Sequence, residues 1–566
     1  MANYIIKESP HHIYPPILPD IESWPINALT KERDAFHEEL VSKSMAQLES
    51  LLDTPLKIHD EIARALYLER MRMKNNPWKV DKRINPDEKS FWNKVHKLIV
   101  KTSLENHATN KTAVEQEKEL AYTIVSRYAT EILGNFNPQT YVTASGLVTK
   151  GFRRLLNASS KGGRIRERIK ITGPIEHIRA LAQKGTVLLV PTHSSNLDSV
   201  LIGWSLDAIG LPAFLYGAGL NLFDSRVFSY FMNRLGAYKV DRRKKDAFYI
   251  ETLKMYSRLT LERGCHSLFF PGGTRARSGE VEKKLKLGLL GTAIDAQRLI
   301  VAKNLTENKG GKGKIFVVPL VLNYHFVLEA SSLIEEHLRR SGKEQYYVLK
   351  DQFPPMHKLL DFTRKFFGEK SEIILAYGEP MDIFGNTVSE NGESLDKAGN
   401  AIDISSYFVS NGEFKQDMQR DQEYTRMLGE KIVDAFQNKN TVLSSHLVAF
   451  VAFNMLKLKY KKRLDLYGLL RLPEENREID YTRFKKTVEK VRDKIKEMSE
   501  NSKIQSYKLN GDIDRVIEHG IKNLGIYHAS KPLKLTDNGQ FVTSESMNLL
   551  LFYHNRLKGY QEEEDN

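Results

Sequence analysis

Cysteine is almost absent from this chain, which holds a single thiol, Cys265, in 566 residues. One thiol cannot form a disulfide within the chain, and it excludes a metal site built from several cysteines. Such a composition is typical of a reducing compartment. The chain must therefore be stabilised by burial, and its length is sufficient for about two to four structural units, each with a core.

Long apolar runs are also absent. Residues 1–9 contain no basic stretch followed by an apolar core and a cleavage site, so no secretory signal is predicted. A membrane-spanning helix needs roughly eighteen or more apolar residues in a row. Residues 200–220 come close but include Asp207 and Pro212, and a second candidate, residues 442–456, is too short. We therefore expect no spanning helix and a cytoplasmic location.

The charge is unbalanced, because 85 lysines and arginines outnumber 71 aspartates and glutamates and leave a formal net charge of +14. Such a surface attracts polyanions: nucleic acid, an anionic membrane face or an acidic carrier protein. With 41% hydrophobic and 28% charged residues, the composition is that of a globular chain and excludes a disordered one. Charge alone does not choose among these partners.

Apolar patterning divides the chain into three regions. Residues 1–150 are predicted to be a helical N-terminal region, since apolar positions recur at helical spacing between residues 35 and 133. Residues 151–414 alternate strand-length apolar runs with helical patterns, which predicts an α/β domain. Its polar stretch at residues 382–412 is interpreted as a loop or insertion, and residues 415–566 are predicted to be helical again. The predicted strands are residues 186–190, 213–216, 237–240, 266–270, 315–322 and 373–377.

A histidine and an aspartate follow the first of these strands, at His193 and Asp198. Histidine transfers protons near neutral pH, and a carboxylate that accepts from one ring nitrogen fixes the tautomer. The pair is therefore a candidate base with its orienting group. The same segment also fits a capped strand-to-helix turn, because Ser194 and Asn196 are good N-cap residues.

Cations follow the strand at residues 237–240. Arg242 lies just beyond this strand, which Gly236 precedes. Its position at a strand end is similar to that of His193. The next cations include Lys244 and Lys245, which are interpreted as a solvated basic turn.

Two glycines and two arginines follow the strand at residues 266–270, in the segment Gly272-Gly273-Thr274-Arg275-Ala276-Arg277. Glycine lets the backbone approach a ligand closely, and guanidinium groups donate paired hydrogen bonds to phosphate oxygens. The segment therefore predicts a site for a small phosphorylated substrate. It lacks the Gly-Lys-Ser/Thr of a nucleotide-binding loop, so nucleotide hydrolysis is not expected.

Together and in this order, these segments resemble the glycerolipid acyltransferase family with its His-four-residues-Asp motif. The resemblance covers roughly residues 169–380, and it is closest to the long, bacterial-type glycerol-3-phosphate 1-O-acyltransferases. It implies an α/β fold in which helices cover a central mixed β-sheet, flanked by helical regions. Residues 552–556 are similar to an aromatic-asparagine motif near the end of those enzymes. The residues that carry the resemblance are His193 and Asp198, Gly236 to Arg242, Gly273 to Arg277, and Val318-Pro319-Leu320.

The resemblance also implies roles. His193 would be the general base and Asp198 its orienting group. Gly236 and Pro319 would shape the backbone, and no metal or cofactor is implied. One departure concerns Gly272, where many members have a glutamate, so the contact of that carboxylate has no counterpart in the motif here. The residues expected to bind the substrate are Arg242, Gly273, Thr274, Arg275, Arg277 and Lys286.

The implied reaction transfers a fatty acyl group from acyl-CoA or acyl carrier protein to glycerol 3-phosphate, giving lysophosphatidic acid for phospholipid synthesis. Because the product is a lipid, we expect peripheral binding to the inner, anionic face of a membrane, with residues 442–456 as a candidate inserting surface or else a buried helix. Alternative acceptors are 1-acylglycerol 3-phosphate and dihydroxyacetone phosphate.

Two interpretations without catalysis remain open from the residues alone. A nucleic-acid-binding protein accounts for the net charge but not for the ordered His, Asp and Arg sites, so nucleic acid is not expected. A catalytically silent lipid-binding scaffold is compatible with Gly272, but the intact His193 and Asp198 argue against it.

Overall fold

The fold is described by a computed structural model. It covers residues 6, 12–103, 111–147, 168–224, 226–307, 313–341, 371–410, 413–526 and 528–560. The expected boundary between residues 150 and 151 lies outside these ranges.

The N-terminal helices pack on one another and on the helix Ala247–Glu262. On the helix Arg33–Leu51, the apolar residues Phe36, Leu40 and Leu48 recur at helical spacing and are buried. The helices are α1 (Pro25–Lys31), α2 (Arg33–Leu51), α3 (Pro55–Asn75), α4 (Asp81–Ile84), α5 (Glu88–Ser103) and α6 (Lys111–Ile132), followed by a helix at residues 138–147.

A seven-stranded mixed sheet forms the centre, which confirms the expected fold class. Its spatial order is β1-β7-β6-β2-β5-β3-β4. Strands β2 to β6 run parallel to one another, whereas β7 is antiparallel to β6. The strands are β1 (Ile169–Thr172), β2 (Thr186–Pro191), β3 (Leu215–Gly219), β4 (Ala237–Val240), β5 (Ser267–Leu268), β6 (Ile315–Tyr324) and β7 (Ile373–Tyr377). The carboxyl ends of β2 to β6 therefore meet at one edge of the sheet.

Both faces of the sheet are covered, as alternation along β2 shows. Val187 and Leu189 face one core, and Leu188 and Val190 face another. This double burial explains why the central strands are continuous apolar runs. The helices between residues 168 and 440 are α7 (Ile175–Lys184), α8 (Asp198–Ala208), α9 (Arg226–Arg234), α10 (Ala247–Glu262), α11 (Leu287–Glu307), α12 (Ala330–Ser341) and α13 (Met418–Lys439).

The polar stretch at residues 382–412 contains short antiparallel strands that its composition did not predict. Ile383 and Phe408 are fully buried and anchor it against α11 and α13. Its strands are β8 (Thr387–Val388), β9 (Ser394–Leu395), β10 (Ala401–Ile402) and β11 (Val409–Ser410), which pairs with β12 (Glu413–Phe414).

The C-terminal helices surround one apolar helix, α14 (Ser444–Tyr460). Leu447, Val451 and Phe453 are at most 2% exposed. Of the two alternatives expected for residues 442–456, the structure therefore supports the buried helix, because these apolar side chains pack in the core. No helix among the described residues is long and apolar enough to cross a membrane. The other elements are α15 (Leu466–Leu470), α16 (Tyr481–Glu500), α17 (Ile513–Gly525), α18 (Met547–His554) and short strands at Thr441–Val442, Ile479–Asp480, Gln505–Ser506, Lys534–Leu535 and Phe541–Thr543.

Candidate active site

The loop between β2 and α8 brings a histidine and a carboxylate together. β2 ends at Pro191 and α8 begins at Asp198, which places the loop at the carboxyl edge of the parallel strands. His193 Nδ1 lies 2.8 Å from Asp198 Oδ2. Because a carboxylate accepts hydrogen bonds, the proton of this contact belongs to Nδ1, and the Nε2 lone pair is left for a substrate hydroxyl. The His193 side chain is 14% exposed, so a substrate can reach it.

Asp198 is held through both of its oxygens and is fully buried. Oδ2 also accepts the backbone N–H groups of Ser194 and Ser195, at 2.7 and 2.9 Å. The Tyr324 hydroxyl donates to Oδ1. Burial raises the pKa of Tyr324 well above its usual value, and the nearby Asp198 charge adds to the shift, so the phenol keeps the proton that it donates. These contacts fix the carboxylate that orients the imidazole.

The segment after β5 packs directly on His193. The Phe270 ring stacks on the imidazole with centroids 4.1 Å apart. The His193 carbonyl accepts the N–H of Ala276 at 2.7 Å. Since Ala276 lies between Arg275 and Arg277, this contact fixes the backbone of both arginines beside the histidine loop.

Gly272 faces a carboxylate from farther along the chain. A Cβ at Gly272 would lie 3.1 Å from Glu282 Cγ and 3.5 Å from Glu282 Oε1. Glu282 Oε1 accepts the backbone N–H of His193 at 2.7 Å. Burial raises the pKa of Glu282, and the His193 N–H opposes the shift. Glu282 thus places a carboxylate beside Gly272, the position at which many members of the similar family have a glutamate.

Gly273 and Lys286 meet at a tight turn. The φ angle of Gly273 is +74°, and its N–H donates to the Phe270 carbonyl at 2.9 Å. A Cβ there would lie 2.6 Å from Lys286 Cδ and 3.0 Å from Lys286 Nζ, so only glycine leaves room for the lysine. The Lys286 N–H in turn donates to the Pro271 carbonyl at 2.7 Å. Folding therefore brings Lys286 to the glycine-arginine segment.

Carboxylates at and before α12 hold the two arginines. Arg275 Nη1 is 3.7 Å from Glu329 Oε1, and Arg277 Nε is 2.9 Å from Glu336 Oε1. Arg277 Nη1 also donates to Thr274 Oγ1 at 3.1 Å. A phosphate would therefore have to compete with these acidic side chains.

Glu329 connects Arg275 to the histidine loop. The hydroxyl of Ser195 and the N–H of Asn196 donate to it at 2.9 and 3.2 Å. Burial raises the pKa of Glu329, and Arg275 opposes that shift. The loop and the arginine segment are thus tied together by side chains as well as by backbone.

Arg242 lies apart from this cluster. It follows β4, the edge strand, which is three interstrand spacings or roughly 14 Å from β2. Its side chain is exposed. Lys245 is also exposed, but the interpretation of Lys244 as a solvated residue is wrong. Lys244 is 6% exposed and Nζ is 2.7 Å from Glu131 Oε2, because α6 covers that turn.

Gly236 and Pro319 act on the backbone. Gly236 has a φ angle of +103°, and a Cβ would lie 2.7 Å from the Phe214 carbonyl oxygen. Pro319 is opposite Val190 in the β2–β6 pair, and its carbonyl accepts the N–H of Gly378 at 2.7 Å. Neither residue offers a functional group to a substrate.

The C-terminal segment at residues 552–556 packs against Ser278 and the end of β6. Asn555 Nδ2 donates to the Ser278 carbonyl at 2.8 Å. Arg556, 7% exposed, donates to the Leu322 carbonyl at 2.9 Å and to the side-chain oxygens of Asn323 and Asn440 at 2.8 Å. Burial lowers the pKa of Arg556, and Glu282, foremost among the nearby carboxylates, opposes the shift.

A small, partly open cavity lies between the histidine loop and this C-terminal segment. Polar and apolar side chains of both parts line it. They include Ser194, Leu322, Val327, Phe552 and Arg556. Residues more than two hundred positions apart therefore share one concave surface.

Comparison with known families identifies the part of the chain that carries these residues. Residues 168–322 match the model of the Acyltransferase family. They form an acyltransferase domain. The matched range runs from the start of β1 into β6 and contains the histidine loop, the glycine-arginine segment and Lys286.

Among solved structures, the chain is similar to the 1-acyl-sn-glycerophosphate (LPA) acyltransferase PlsC from Thermotoga maritima. The sequence identity is 13% and the TM-score is 0.24. The match covers 51% of this chain and 80% of the other.

Four residues of the site were not predicted from the sequence: Glu282, Glu329, Tyr324 and Arg556. Tyr324 ends β6, so its place at the carboxyl edge follows from the strand once the strand is extended by two residues. Glu282 and Glu329 had no local signal, whereas Arg556 ends the segment at residues 552–556 that the family resemblance singled out without a role. Each comes from a different element and reaches the acyltransferase site only through tertiary packing.

Proposed function

We propose that the protein is a glycerol-3-phosphate 1-O-acyltransferase that uses an acyl thioester, acyl-CoA or acyl carrier protein, as donor. The observation that carries this proposal is the His193–Asp198 pair, 2.8 Å apart, beside a segment rich in cations. An alcohol needs a base, and a phosphorylated alcohol needs cations close to that base. The histidine and the cations both lie in the acyltransferase domain, at the same edge of its sheet.

In the proposed reaction, His193 Nε2 removes the proton of the substrate 1-hydroxyl while the oxygen attacks the thioester carbonyl. The new C–O bond forms a tetrahedral intermediate, which collapses with cleavage of the C–S bond. The departing thiolate takes the proton from the imidazolium. Asp198 holds Nδ1–H throughout and stabilises the charged ring, and base catalysis of this kind contributes about 10²–10⁴ in rate.

Phosphate recognition is proposed for Arg275, Arg277 and Lys286, with Gly273 and Thr274 shaping the turn. Arg242 would have to reach the phosphate from the end of the edge strand β4. In the structure, Glu329 and Glu336 pair with the arginines. Phosphate carries more negative charge than one carboxylate and accepts from planar guanidinium groups in pairs, so it can replace these contacts.

The acceptor can be determined directly. The purified chain is incubated with labelled glycerol 3-phosphate, 1-acylglycerol 3-phosphate or dihydroxyacetone phosphate, each with acyl-CoA and with acyl carrier protein donors. The proposal predicts the highest kcat/KM for glycerol 3-phosphate. A preference for 1-acylglycerol 3-phosphate would reassign the acceptor. Absence of transfer to all three acceptors would contradict the proposal that the protein is an acyltransferase.

We further propose that the protein works peripherally on the anionic, cytoplasmic face of a membrane. With residues 442–456 buried, attraction must come from the net charge of +14. Flotation with vesicles containing anionic lipid should recover the protein at low salt and lose it at high salt. No binding at low salt would contradict the proposal.

A further inference from the structure

Three potential metal ligands converge beside the end of β6, away from the residues assigned to catalysis. His325 follows β6, Glu372 precedes the antiparallel strand β7, and His519 lies in α17. One ligand atom of each lies within 4.8 Å of the others. The two histidine rings are nearly perpendicular, at 79°, with centroids 5.2 Å apart. The cluster thus joins two strands of the sheet to a C-terminal helix.

Both imidazoles are oriented by consecutive serines at the start of α14. His325 Nδ1 is 3.0 Å from Ser445 Oγ, and His519 Nδ1 is 2.8 Å from Ser444 Oγ. A hydroxyl can accept from Nδ1–H, which leaves the lone pair on each Nε2. Metal-bound histidines have this arrangement, in which the second ring nitrogen donates to a neighbouring acceptor.

Two buried polar atoms of the cluster residues lack a hydrogen bond. Among the described residues, none donates to or accepts from His325 Nε2 or Glu372 Oε2, although both atoms are shielded from solvent. His325 is 2% exposed and Glu372 is 4% exposed. Buried polar atoms are almost always paired in native proteins, so these two indicate a ligand that completes them.

The charge around the cluster is mixed, because Glu372 is accompanied by the nearby lysines Lys508 and Lys522. Lys508 Nζ pairs with Glu372 Oε1, the oxygen on the other side of the carboxylate. The lysine side chain is 56% exposed and can turn into solvent. Burial lowers the pKa of His325, which favours the neutral imidazole that binds metals.

We propose that His325, Glu372 and His519 bind one divalent transition-metal ion, for which Zn²⁺ is the best fit. Two imidazoles and one carboxylate form a known zinc ligand set, whereas Ca²⁺ and Mg²⁺ prefer oxygen ligands. Zinc lies about 2.0–2.2 Å from such ligands, so the ligand atoms must close to within roughly 4 Å of one another by small side-chain rotations.

Such an ion would clamp α17 to the sheet. His325 is adjacent to Tyr324, which donates to Asp198, so the clamp would also hold the strand end that supports the histidine loop. The site does not depend on the proposed acyltransfer reaction, because its ligands do not contact His193 or the arginine segment in any described interaction.

The test uses the full chain after removal of metal by a chelator and dialysis. Zn²⁺ is titrated in competition with a chromogenic chelator, and Co²⁺ is titrated separately to look for the visible absorption of a tetrahedral site. The wild type should bind one ion per chain. His519→Ala, at a half-buried position that tolerates truncation, should bind at least tenfold more weakly and lose the Co²⁺ band.

Two further variants separate a site from a surface effect. Ser445→Ala should weaken Zn²⁺ binding about 10–100-fold, because it removes the partner of a ligating histidine. His96→Ala, a histidine on α5, should bind as the wild type does. Zn²⁺ should raise the Tm of the wild type but not of His519→Ala. Failure of the wild type to bind, or equal binding by wild type and His519→Ala, would overturn the proposal.

Discussion

The carboxylate of Glu282 lies against Gly272 and accepts the backbone N–H of His193 at 2.7 Å. The contact links the start of the histidine loop to the segment that carries the two arginines. It also explains why a glycine is compatible with this site: a side chain at position 272 would enter the space of Glu282.

This relationship predicts a rescue. Glu282→Ala removes the acceptor of a shielded N–H, which costs about 1–3 kcal/mol, and should lower kcat/KM at least tenfold. Gly272→Glu alone should also lower activity, because two carboxylates would crowd one another. The double variant restores one carboxylate beside His193 and should recover part of the activity. A double variant no better than Glu282→Ala would refute the equivalence of the two positions.

His193→Ala should abolish acyl transfer with little effect on acceptor binding. Loss of the base should lower kcat by at least about 10²–10⁴, while calorimetric binding of glycerol 3-phosphate stays within a few-fold. His96→Ala is the matched control and should turn over normally. Near-normal turnover by His193→Ala would exclude it as the base.

Arg275→Ala should raise the KM for the phosphorylated acceptor about tenfold or more, since a charge-assisted hydrogen bond contributes about 1.5–3 kcal/mol. The KM for the acyl donor should not change. Arg339→Ala, which removes an exposed arginine of α12, serves as control. If steady-state kinetics show the same acceptor KM for Arg275→Ala and the wild type, the residue does not contact phosphate.

The free energy of unfolding should fall in mild acid because His266 is protonated in the unfolded chain but not in the native state. Its Nδ1 accepts the N–H of Val187 at 3.0 Å, and burial lowers its pKa from 6.5 to about 4. Between those values the unfolded chain binds a proton that the native state excludes, so stability is full above pH 6.5 and is lost as the pH falls toward 4, by up to about 3 kcal/mol. Urea unfolding of His266→Gln should show a shallower loss over this range. Parallel pH curves for the two proteins would contradict the assignment.

Arg556→Met should lower the free energy of unfolding by at least about 2 kcal/mol. It leaves the Leu322 carbonyl and the side-chain oxygens of Asn323 and Asn440 without their buried donor. Arg463→Met, at an exposed position, should be nearly neutral. Equal urea midpoints for both variants would show that the C-terminal contacts do not stabilise the fold.

The strands and the histidine–aspartate pair were accessible to sequence analysis because both depend on short-range order. Apolar runs predicted six of the seven central strands, and only β1, a short edge strand with a polar Lys170, was missed. His193 and Asp198 are separated by a single turn, so spacing alone brings them within reach. The segment at residues 272–277 was recognised in the same way, by residue types that are adjacent in the chain.

Long-range partners were not accessible in this way. Glu282 is 89 positions from His193, and Arg556 is 234 positions from Leu322. Lys244 looked like part of a solvated run because a charge pattern carries no information about the helix that covers it. Its ion pair with Glu131 exists only because α6 packs over the turn after β4.

Local spacing was thus sufficient to place a histidine and its carboxylate partner at a strand end, with cations near a second strand end, because neighbours in sequence remain neighbours in space. Which carboxylate lies beside Gly272, which arginines are paired and which cations are buried depend on contacts between distant elements. Those contacts form only when hydrophobic burial packs the helices against both faces of the sheet, and no local pattern encodes them.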